Sequence, residues 1–268
     1  MDTLTATHVS ALKLLRADTQ AEDLSADTAK TIAAMDARYV FNSTRNVLTM
    51  LRKVYPDNKV FQTEMQTRRA EFKKLDKAQE PTDRQLQKHI PWDDIIAFRD
   101  LYFDSLTSDE QLLISLYTMV PPARADYTPM KIVGRKPSKP EDGFNYLVLR
   151  PKTARFLFHA FKTHATLGDQ YIEVPKNLNK VIRSYIKEGQ TYLLEHDGKP
   201  WTEAQLGVGV RKIFQRYLDM DTGITTIRHS YITKLRAGEP SIAQNTKIAN
   251  SMMHSVETSQ AYRFLSLE

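Results

Sequence analysis

Hydrophobic and polar positions follow a helical period through the first third of the chain. Between residues 45 and 77, apolar side chains recur at intervals of three and four residues among basic ones, first in TRNVLTMLRKVYP and then in the charged segment from Lys59 to Lys77. This spacing predicts two amphipathic helices. Ser43 is the expected N-cap of the first helix, because its hydroxyl can accept from a free amide of the first turn. Pro56 is expected to end that helix.

A polar segment with two prolines then interrupts the pattern. The segment AQEPTDRQLQKHIPW contains Pro81 and Pro91, and we expect a linker between two domains there. A helical domain over residues 1–89 and a second domain over residues 90–268 follow from this boundary. After the linker, WDDIIAFRDLYFDSL and SDEQLLISLYTMV predict two further helices, the second with Ser108 as its N-cap.

After Phe144 the hydrophobic pattern becomes typical of extended strands, and later in the chain it is helical again. The runs NYLVL, ARFLFHAF and QYIEVP are rich in aromatic and β-branched residues, and they predict a three-stranded antiparallel sheet. The segments KNLNKVIRSYIK, TEAQLGVGVRKIFQRYL, ITTIRHSYITKLRA and IAQNTKIANSMM then predict helices. The expected fold class is mostly α with one small antiparallel sheet (α+β), arranged in two domains.

Composition excludes several classes of protein. The chain has 268 residues and no cysteine, so disulfide scaffolds, thiolate metal sites and cysteine nucleophiles are excluded. No apolar run approaches the roughly 20 residues that span a bilayer, and the start MDTLTATHVSALKLL lacks the pattern of a secretory signal. We therefore expect an intracellular protein that is not secreted and has no membrane partner. The net charge of +6 favours a polyanionic partner.

Positive charge is concentrated in the second half of the first domain. Between residues 45 and 88 basic side chains outnumber acidic ones, whereas residues 1–44 are more acidic than basic. Such a patch is typical of a nucleic-acid-binding face, although a solvated helix face has the same composition. The residues that we expect to contact DNA under the first interpretation are Arg45, Arg52, Lys53, Arg68, Arg69, Lys73 and Lys74.

The sequence contains no recognisable motif for a nucleotide or metal site. Gly207 and Gly209 in LGVGVRKIF follow no strand and precede no Lys-Ser/Thr pair, so they indicate helix packing rather than a phosphate loop. The histidines form no HExxH motif. His159 and His164 lie on either side of a predicted turn, with no carboxylate partner evident from the spacing. We expect no metal site and no cofactor.

Four segments after residue 92 share their order with the motifs of one enzyme family. They are LISLYTMVPPARADY, FHAFKTHATLGDQYIEVP, TTIRHSYITKL and MMHSVETSQAY. Together they resemble the motifs of the tyrosine recombinases, the phage-integrase family, in the form seen in Crypton-type and large-DNA-virus enzymes. The similarity covers most of residues 92–268, and its viral form favours a mobile element or a virus as the source.

The resemblance implies a role for each matching residue. Arg124 and Arg228 correspond to the arginines that bind the scissile phosphate, Lys162 to the lysine that protonates the leaving oxygen, and Tyr262 to the nucleophile. His254 corresponds to the histidine that contacts the phosphate and helps the tyrosine lose its proton. Lys152, near another turn, is the alternative to Lys162. Supporting roles are expected for His229 and Asp126.

The resemblance also implies a reaction and its partners. In this family a helical core-binding domain and a catalytic domain clamp double-stranded DNA, and a 3′-phosphotyrosine intermediate forms without metal or ATP. A homotetramer acting on two DNA sites is the expected assembly. Such an enzyme would be a site-specific recombinase or integrase.

Three positions depart from the family pattern. Thr225 stands where a histidine is usual; its hydroxyl can contact a phosphate but is no acid or base near pH 7. Met253 stands where a glycine is often found. Only RFLSLE follows Tyr262, so we expect contacts other than a terminal helix to hold any tetramer.

Other functions remain open from the sequence. The same residues would serve a type IB topoisomerase-like enzyme or a resolvase. An assay for strand exchange between two DNA molecules would distinguish these enzymes from a recombinase. Thr225 and Met253 also allow a catalytically silent DNA-binding protein. A metal-dependent transposase is disfavoured, because Asp93, Asp94 and Asp126 lack a recognisable triad context.

Overall fold

The computed structural model describes residues 4–238 and 240–267, which form two compact units divided between Ala78 and Gln79. The predicted linker at Pro81 to Pro91 belongs to the second unit. Its polar residues form a short helix that Thr82 caps by accepting from the Gln85 amide. The boundary between the units therefore lies before the two prolines.

The first unit is a group of four helices around a small core. Their bounds are α1 (Ala6–Thr19), α2 (Thr28–Arg38), α3 (Phe41–Val54) and α4 (Lys59–Ala78). The predicted Ser43 cap is wrong, because the amides of Ser43 and Thr44 already donate to the Val40 carbonyl and α3 begins at Phe41. The core side chains are Ala11, Leu15, Leu24, Met35, Val47, Leu48, Met50, Leu51, Phe61 and Met65.

The second unit contains the remaining helices. They are α5 (Asp83–Leu86), α6 (Trp92–Tyr102), α7 (Ser108–Thr118), α8 (His164–Leu167), α9 (Lys176–Tyr185), α10 (Glu203–Leu218), α11 (Ile224–Arg236), α12 (Ile242–Ser251) and α13 (Val256–Ala261), with 3₁₀ turns at Phe103–Ser105 and Leu265–Leu267. The predicted cap at Ser108 is off by one residue. Thr107 is the N-cap of α7, and it exchanges hydrogen bonds with Glu110 in a capping box.

The main sheet has four strands. Their bounds are β1 (Met130–Val133), β2 (Asn145–Leu149), β3 (Ala154–Phe158) and β4 (Gln170–Glu173), in that spatial order. Strands β2, β3 and β4 are antiparallel, which confirms the three predicted strands, whereas β1 adds to β2 in parallel. A separate pair joins β5 (Glu195–His196) to β6 (Lys199–Pro200). The structure confirms the α+β fold class and corrects the sheet from three strands to four.

Two buried tyrosines attach the segment after α7 to the core. The Tyr117 hydroxyl donates to the carbonyl of Arg124 at 2.7 Å, and the Tyr127 hydroxyl donates to the carbonyl of Leu116 at 3.0 Å. Their rings meet edge to face, 5.6 Å between centroids. Burial raises the pKa of both hydroxyls, so they remain protonated donors. The backbone at Arg124 is thereby fixed against α7.

Among the described residues, no helix combines the length and the apolar character that crossing a bilayer requires.

Candidate active site

Arg228 lies at the centre of the site, one turn into α11. Its side chain is buried, donates to the carbonyl of Pro122 and contacts Nε2 of His254. Nε of Arg228 is also buried but has no partner among the described residues. Burial lowers the pKa of Arg228, although a guanidinium still carries its charge at pH 7. A fixed buried cation with an unused donor is suited to bind an anion.

Arg124 offers a second unused donor. Its backbone N–H donates to Oδ2 of Asp126 at 3.0 Å and its carbonyl accepts from Tyr117, so the main chain is held at both ends. Nη1 of Arg124 is buried without a partner among the described residues. Burial raises the pKa of Asp126, and the nearby Arg124 and Arg228 oppose that shift. The two arginines therefore lie in one electrostatic neighbourhood.

The turn before His254 takes the conformation that favours glycine. Met253 has φ of +55°, in the left-handed region, and the next amide, that of His254, donates to the carbonyl of Ala249 at 2.9 Å. The Met253 side chain is buried in the core of the second unit. Its burial offsets the backbone cost of about 1–2 kcal/mol, so a residue other than glycine is tolerated in this turn.

His254 is a neutral hydrogen-bond donor. Burial lowers its pKa to about 3, and the charges of Arg228, Arg124 and Lys162 contribute to the shift. Because Arg228 can only donate, Nε2 accepts and the proton lies on Nδ1. Nδ1 is buried with no partner among the described residues. His254 thus presents an N–H to whatever occupies the site.

Tyr262 follows α13 and faces the same group. Its ring lies 4.9 Å from the His254 ring, and the Arg228 guanidinium lies 5.3 Å from the ring centre. The Arg228 charge thus lies beside the Tyr262 side chain. The structure therefore brings together the predicted Arg124, Arg228, His254 and Tyr262.

Helix α11 also anchors the segment that carries Tyr262. Nδ1 of His229 donates to the Tyr262 carbonyl at 2.8 Å, and its ring stacks between those of Tyr262 and Phe264, at 4.6 and 4.2 Å. One turn later the Thr233 hydroxyl accepts from the Phe264 amide at 3.0 Å. Arg236 donates to the Ser259 hydroxyl of α13 at 3.1 Å. A single helix thus positions both the buried arginine and the tyrosine.

Lys162 reaches the site from the loop between β3 and β4. Its side chain is exposed, and its charge acts on His254. The next residue, Thr163, donates to the carbonyl of Met253 at 2.9 Å. Lys152 lies in the β2–β3 turn beside α9, where its carbonyl accepts from Asn179 at 3.3 Å. Of the two lysines, Lys162 is the one whose charge acts on His254.

Arg124, Arg228 and Tyr262 open into a cleft of about 440 Å³. Lys88, Arg211 and Thr225 are among the other residues that line it. Thr225 is exposed in the first turn of α11, which has no side-chain cap, so free amides and the positive end of the helix face the cleft. Sequence reasoning missed Lys88 and Arg211. Both pair with Asp221, an arrangement of distant residues that no motif signals.

A larger cleft, of about 540 Å³, lies between α6, α7 and α9. None of the described residues that line it belongs to the predicted set, and it lacks the convergent arginines.

A cluster beside Lys162 corrects one expectation. His159 Nδ1 and His164 Nε2 lie 2.7 and 3.0 Å from the same oxygen, Oδ1 of Asp169. The view that these histidines lack a carboxylate partner is wrong, because the chain reverses after α8 and returns Asp169 to them. The three side chains form a possible metal-binding group.

The basic residues of the first unit divide into two sets. Arg68 is nearly buried and pairs with Asp36 and Glu64, each at 2.6 Å, so its charge is neutralised within the unit. Arg45 lies over the Phe72 ring at 3.7 Å. The predicted residues whose side chains are exposed are Arg52, Lys53, Arg69, Lys73 and Lys74.

Comparisons with known proteins give a distant structural likeness. No family model and no curated protein matches the sequence. The crystal structure of XerA recombinase is similar over 97% of this chain and 86% of its own, with 12% identity and a TM-score of 0.48.

Proposed function

We propose that the chain breaks and rejoins DNA as a tyrosine recombinase does, through a covalent link between Tyr262 and a backbone phosphate. The observation that carries this proposal is the convergence of Tyr262 with Arg124 and Arg228 in one cleft. Arg124 and Arg228 each have a buried N–H without a partner among the described residues. Buried donors of this kind are costly unless a ligand accepts from them, and a phosphodiester offers two such oxygens.

In the proposed step the Tyr262 oxygen forms a bond to phosphorus while the bond from phosphorus to the 5′ oxygen breaks. The tyrosine proton is released, and Lys162 protonates the departing oxygen. The products are a 3′-phosphotyrosine and a free 5′-hydroxyl. Because one phosphodiester replaces another, a 5′-hydroxyl of a second strand can reverse the step without ATP.

Charge in the transition state collects on the non-bridging phosphate oxygens. Arg124 Nη1 and Arg228 Nε would donate to them, together with His254 Nδ1–H and the free amides at the start of α11. Preorganised donors of this kind stabilise developing charge without a cost of reorientation. Thr225 would add a hydroxyl contact from the cleft wall.

Arg228 would also activate the nucleophile. Its guanidinium lies 5.3 Å from the centre of the Tyr262 ring, where its positive charge would stabilise negative charge that develops on the attacking oxygen. His254 cannot take the tyrosine proton through Nε2, since that atom already accepts from Arg228. We therefore assign His254 to the phosphate, and the tyrosine proton to solvent.

Double-stranded DNA is the proposed partner, and site-specific recombination or integration between two sites by a homotetramer is the proposed outcome. The exposed Arg52, Arg69, Lys73 and Lys74 of the first unit would contact phosphates outside the cleft. A mobile element or a virus would use such an activity.

Covalent trapping tests the proposal. The full chain is incubated with nicked, labelled duplexes carrying candidate sites, and adducts that survive SDS are resolved on gels. We expect an adduct with the wild type and with Tyr171→Phe, an exposed tyrosine on β4, and none with Tyr262→Phe. Tight binding without an adduct in any variant would indicate a silent DNA-binding protein instead.

A second assay separates recombination from relaxation. Two duplexes of different length are mixed with the wild type, and exchanged products are sought alongside relaxed plasmid. Exchange supports the recombinase, whereas relaxation alone would assign the same residues to a type IB topoisomerase-like enzyme.

A further inference from the structure

The loop that carries Lys162 also carries the cluster of His159, His164 and Asp169. Their donor atoms lie within 4.8 Å of one another, and the side chains are partly buried, at 18%, 35% and 29% exposure. The two imidazole nitrogens face one carboxylate oxygen at 2.7 and 3.0 Å. The phosphate-binding cleft and the mechanism proposed above use none of these three side chains.

The donor set suits a divalent transition metal. Two imidazoles and a carboxylate are the ligands of many three-residue zinc sites, in which water takes the fourth position. With bonds of about 2.0 Å, tetrahedral ligands lie about 3.3 Å apart, so the two distances from nitrogen to the Asp169 oxygen would lengthen by a few tenths of an ångström when the ion binds. Asp142 Oδ1 lies 4.0 Å from the other nitrogen of His159, where a carboxylate can orient a metal-bound imidazole.

The two ends of the loop are held in place, the first by hydrogen bonds to the Asn145 side chain and the second by a turn at Gly168. Asn145 Oδ1 accepts from the amides of His159 and Ala160, both at 2.8 Å. Gly168, with φ of +62°, makes the reversal that returns Asp169 to the histidines. Lys162 lies between these ends on a turn in which the Thr163 hydroxyl donates to the carbonyl of Met253. A bound ion would therefore close the loop around Lys162.

We propose that His159 Nδ1, His164 Nε2 and the Asp169 carboxylate bind one zinc-like divalent ion, which orders the loop that presents Lys162. The binding site stands on its own geometry. Its effect on Lys162 rests on the proposed function.

Metal binding is measured directly on the full chain. Protein treated with chelator and freed of it is titrated with Zn²⁺ by calorimetry, and its metal content is determined after gel filtration. We expect one ion per chain and a higher Tm, with affinity reduced at least about tenfold in Asp169→Asn and in His164→Gln. His196→Gln, an exposed histidine on β5, is the control and should bind as the wild type does. No saturable binding, or equal binding by all variants, would overturn the inference and leave a hydrogen-bonded cluster.

The link to Lys162 is measured by the rate of covalent trapping with Zn²⁺ and with chelator. Chelator should slow the wild type to the rate of Asp169→Asn without abolishing the adduct, and it should not affect Asp169→Asn. A rate of adduct formation that zinc does not change would overturn the proposal that the ion orders the loop. Zinc binding without any adduct would instead contradict the proposed function and leave the metal site standing.

Discussion

Arg228 combines three contacts that are hard to replace by another cation. It donates to Pro122, contacts His254 and lies against Tyr262, all from a buried position. A lysine in its place has three donors on one atom and cannot span these partners together with a phosphate oxygen. The cost of the buried charge is tolerated because the planar fork serves every partner at once.

We therefore predict that Arg228→Lys lowers the rate of adduct formation by about 10²–10³-fold, the usual cost of losing one preorganised donor. The rate is measured by single-turnover trapping on nicked DNA. Arg155→Lys, in an exposed pair with Glu173, is the matched control and should leave the rate unchanged. An Arg228→Lys rate within threefold of wild type, a margin of about 0.65 kcal/mol, would contradict the role assigned to the guanidinium.

The two buried histidines predict a dependence of stability on pH. Burial lowers the pKa of His254 to about 3 and that of His229 to about 4, below the unfolded value of 6.5. Between those values the unfolded chain binds more protons, so stability is full above pH 6.5 and falls as the pH is lowered toward 4. Each histidine contributes a slope of about 1.4 kcal/mol per pH unit at most.

Urea denaturation across pH 4.5–7.5 measures this dependence. The free energy of unfolding should fall below pH 6.5, and His254→Gln should reduce the slope. A wild-type slope that His254→Gln leaves unchanged would show that the imidazole is not held neutral in the fold.

Among the elements, α11 connects Arg228 to Tyr262, the residues proposed to bind the phosphate and to attack it. His229 is on the same helix as Arg228, and it holds the Tyr262 carbonyl while its ring stacks on the tyrosine. It touches no reacting atom in the proposed step, so its role is to position Tyr262.

His229→Phe tests that role because it keeps an aromatic ring and removes the N–H donor. We expect the trapping rate to fall about tenfold, since small misplacements of a nucleophile are costly, while the dissociation constant for DNA stays unchanged. The readouts are single-turnover trapping and filter binding, with His196→Phe as control. A loss of binding that parallels the loss of rate would indicate general unfolding rather than misplacement.

The elements that the sequence predicts are those with a local signal. Strands β2, β3 and β4 lie in runs that are rich in aromatic and β-branched residues, whereas MKIV of β1 is a short segment outside those runs that pairs in parallel with β2. The N-caps of α3 and α7 lie before the predicted residues. Amides of each first turn already donate to a residue that precedes the predicted cap. The hydrophobic period therefore predicts the presence of an element more accurately than the residues at which it begins and ends.

The site divides in the same way. Arg124, Lys162, Arg228, His254 and Tyr262 stand in motifs whose order suffices to select them. Lys88, Arg211 and Asp221 meet only in the fold, and so do the two histidines and Asp169. Arg68 is the opposite case. The basic composition of its segment predicted a DNA contact, but Arg68 forms its ion pairs within the first unit.

At the scale of the whole molecule, the net charge of +6 and the basic cleft predict salt-sensitive DNA binding. Arg69 and Lys73 are one helical turn apart on α4 and are exposed, so they are placed to contact successive phosphates. The double variant Arg69→Gln/Lys73→Gln should weaken binding and reduce the slope of log K against log salt by about 0.9 for each lost phosphate contact.

Fluorescence anisotropy from low to moderate salt measures that slope. Lys13→Gln/Lys30→Gln removes the same charge from exposed positions in the acidic part of the first unit, and it should change the slope less. Equal effects of the two double variants would show that only net charge matters, and that α4 provides no specific DNA face.

The proposed function depends on covalent attachment of DNA to Tyr262, and locating the attachment tests it. The adduct trapped on nicked DNA is digested with nuclease and protease, and the nucleotide-bearing peptide is sequenced by mass spectrometry. We expect a phosphodiester on Tyr262 linked to a 3′ end. An adduct on another residue, a link to a 5′ end, or an undiminished adduct in Tyr262→Phe would contradict it.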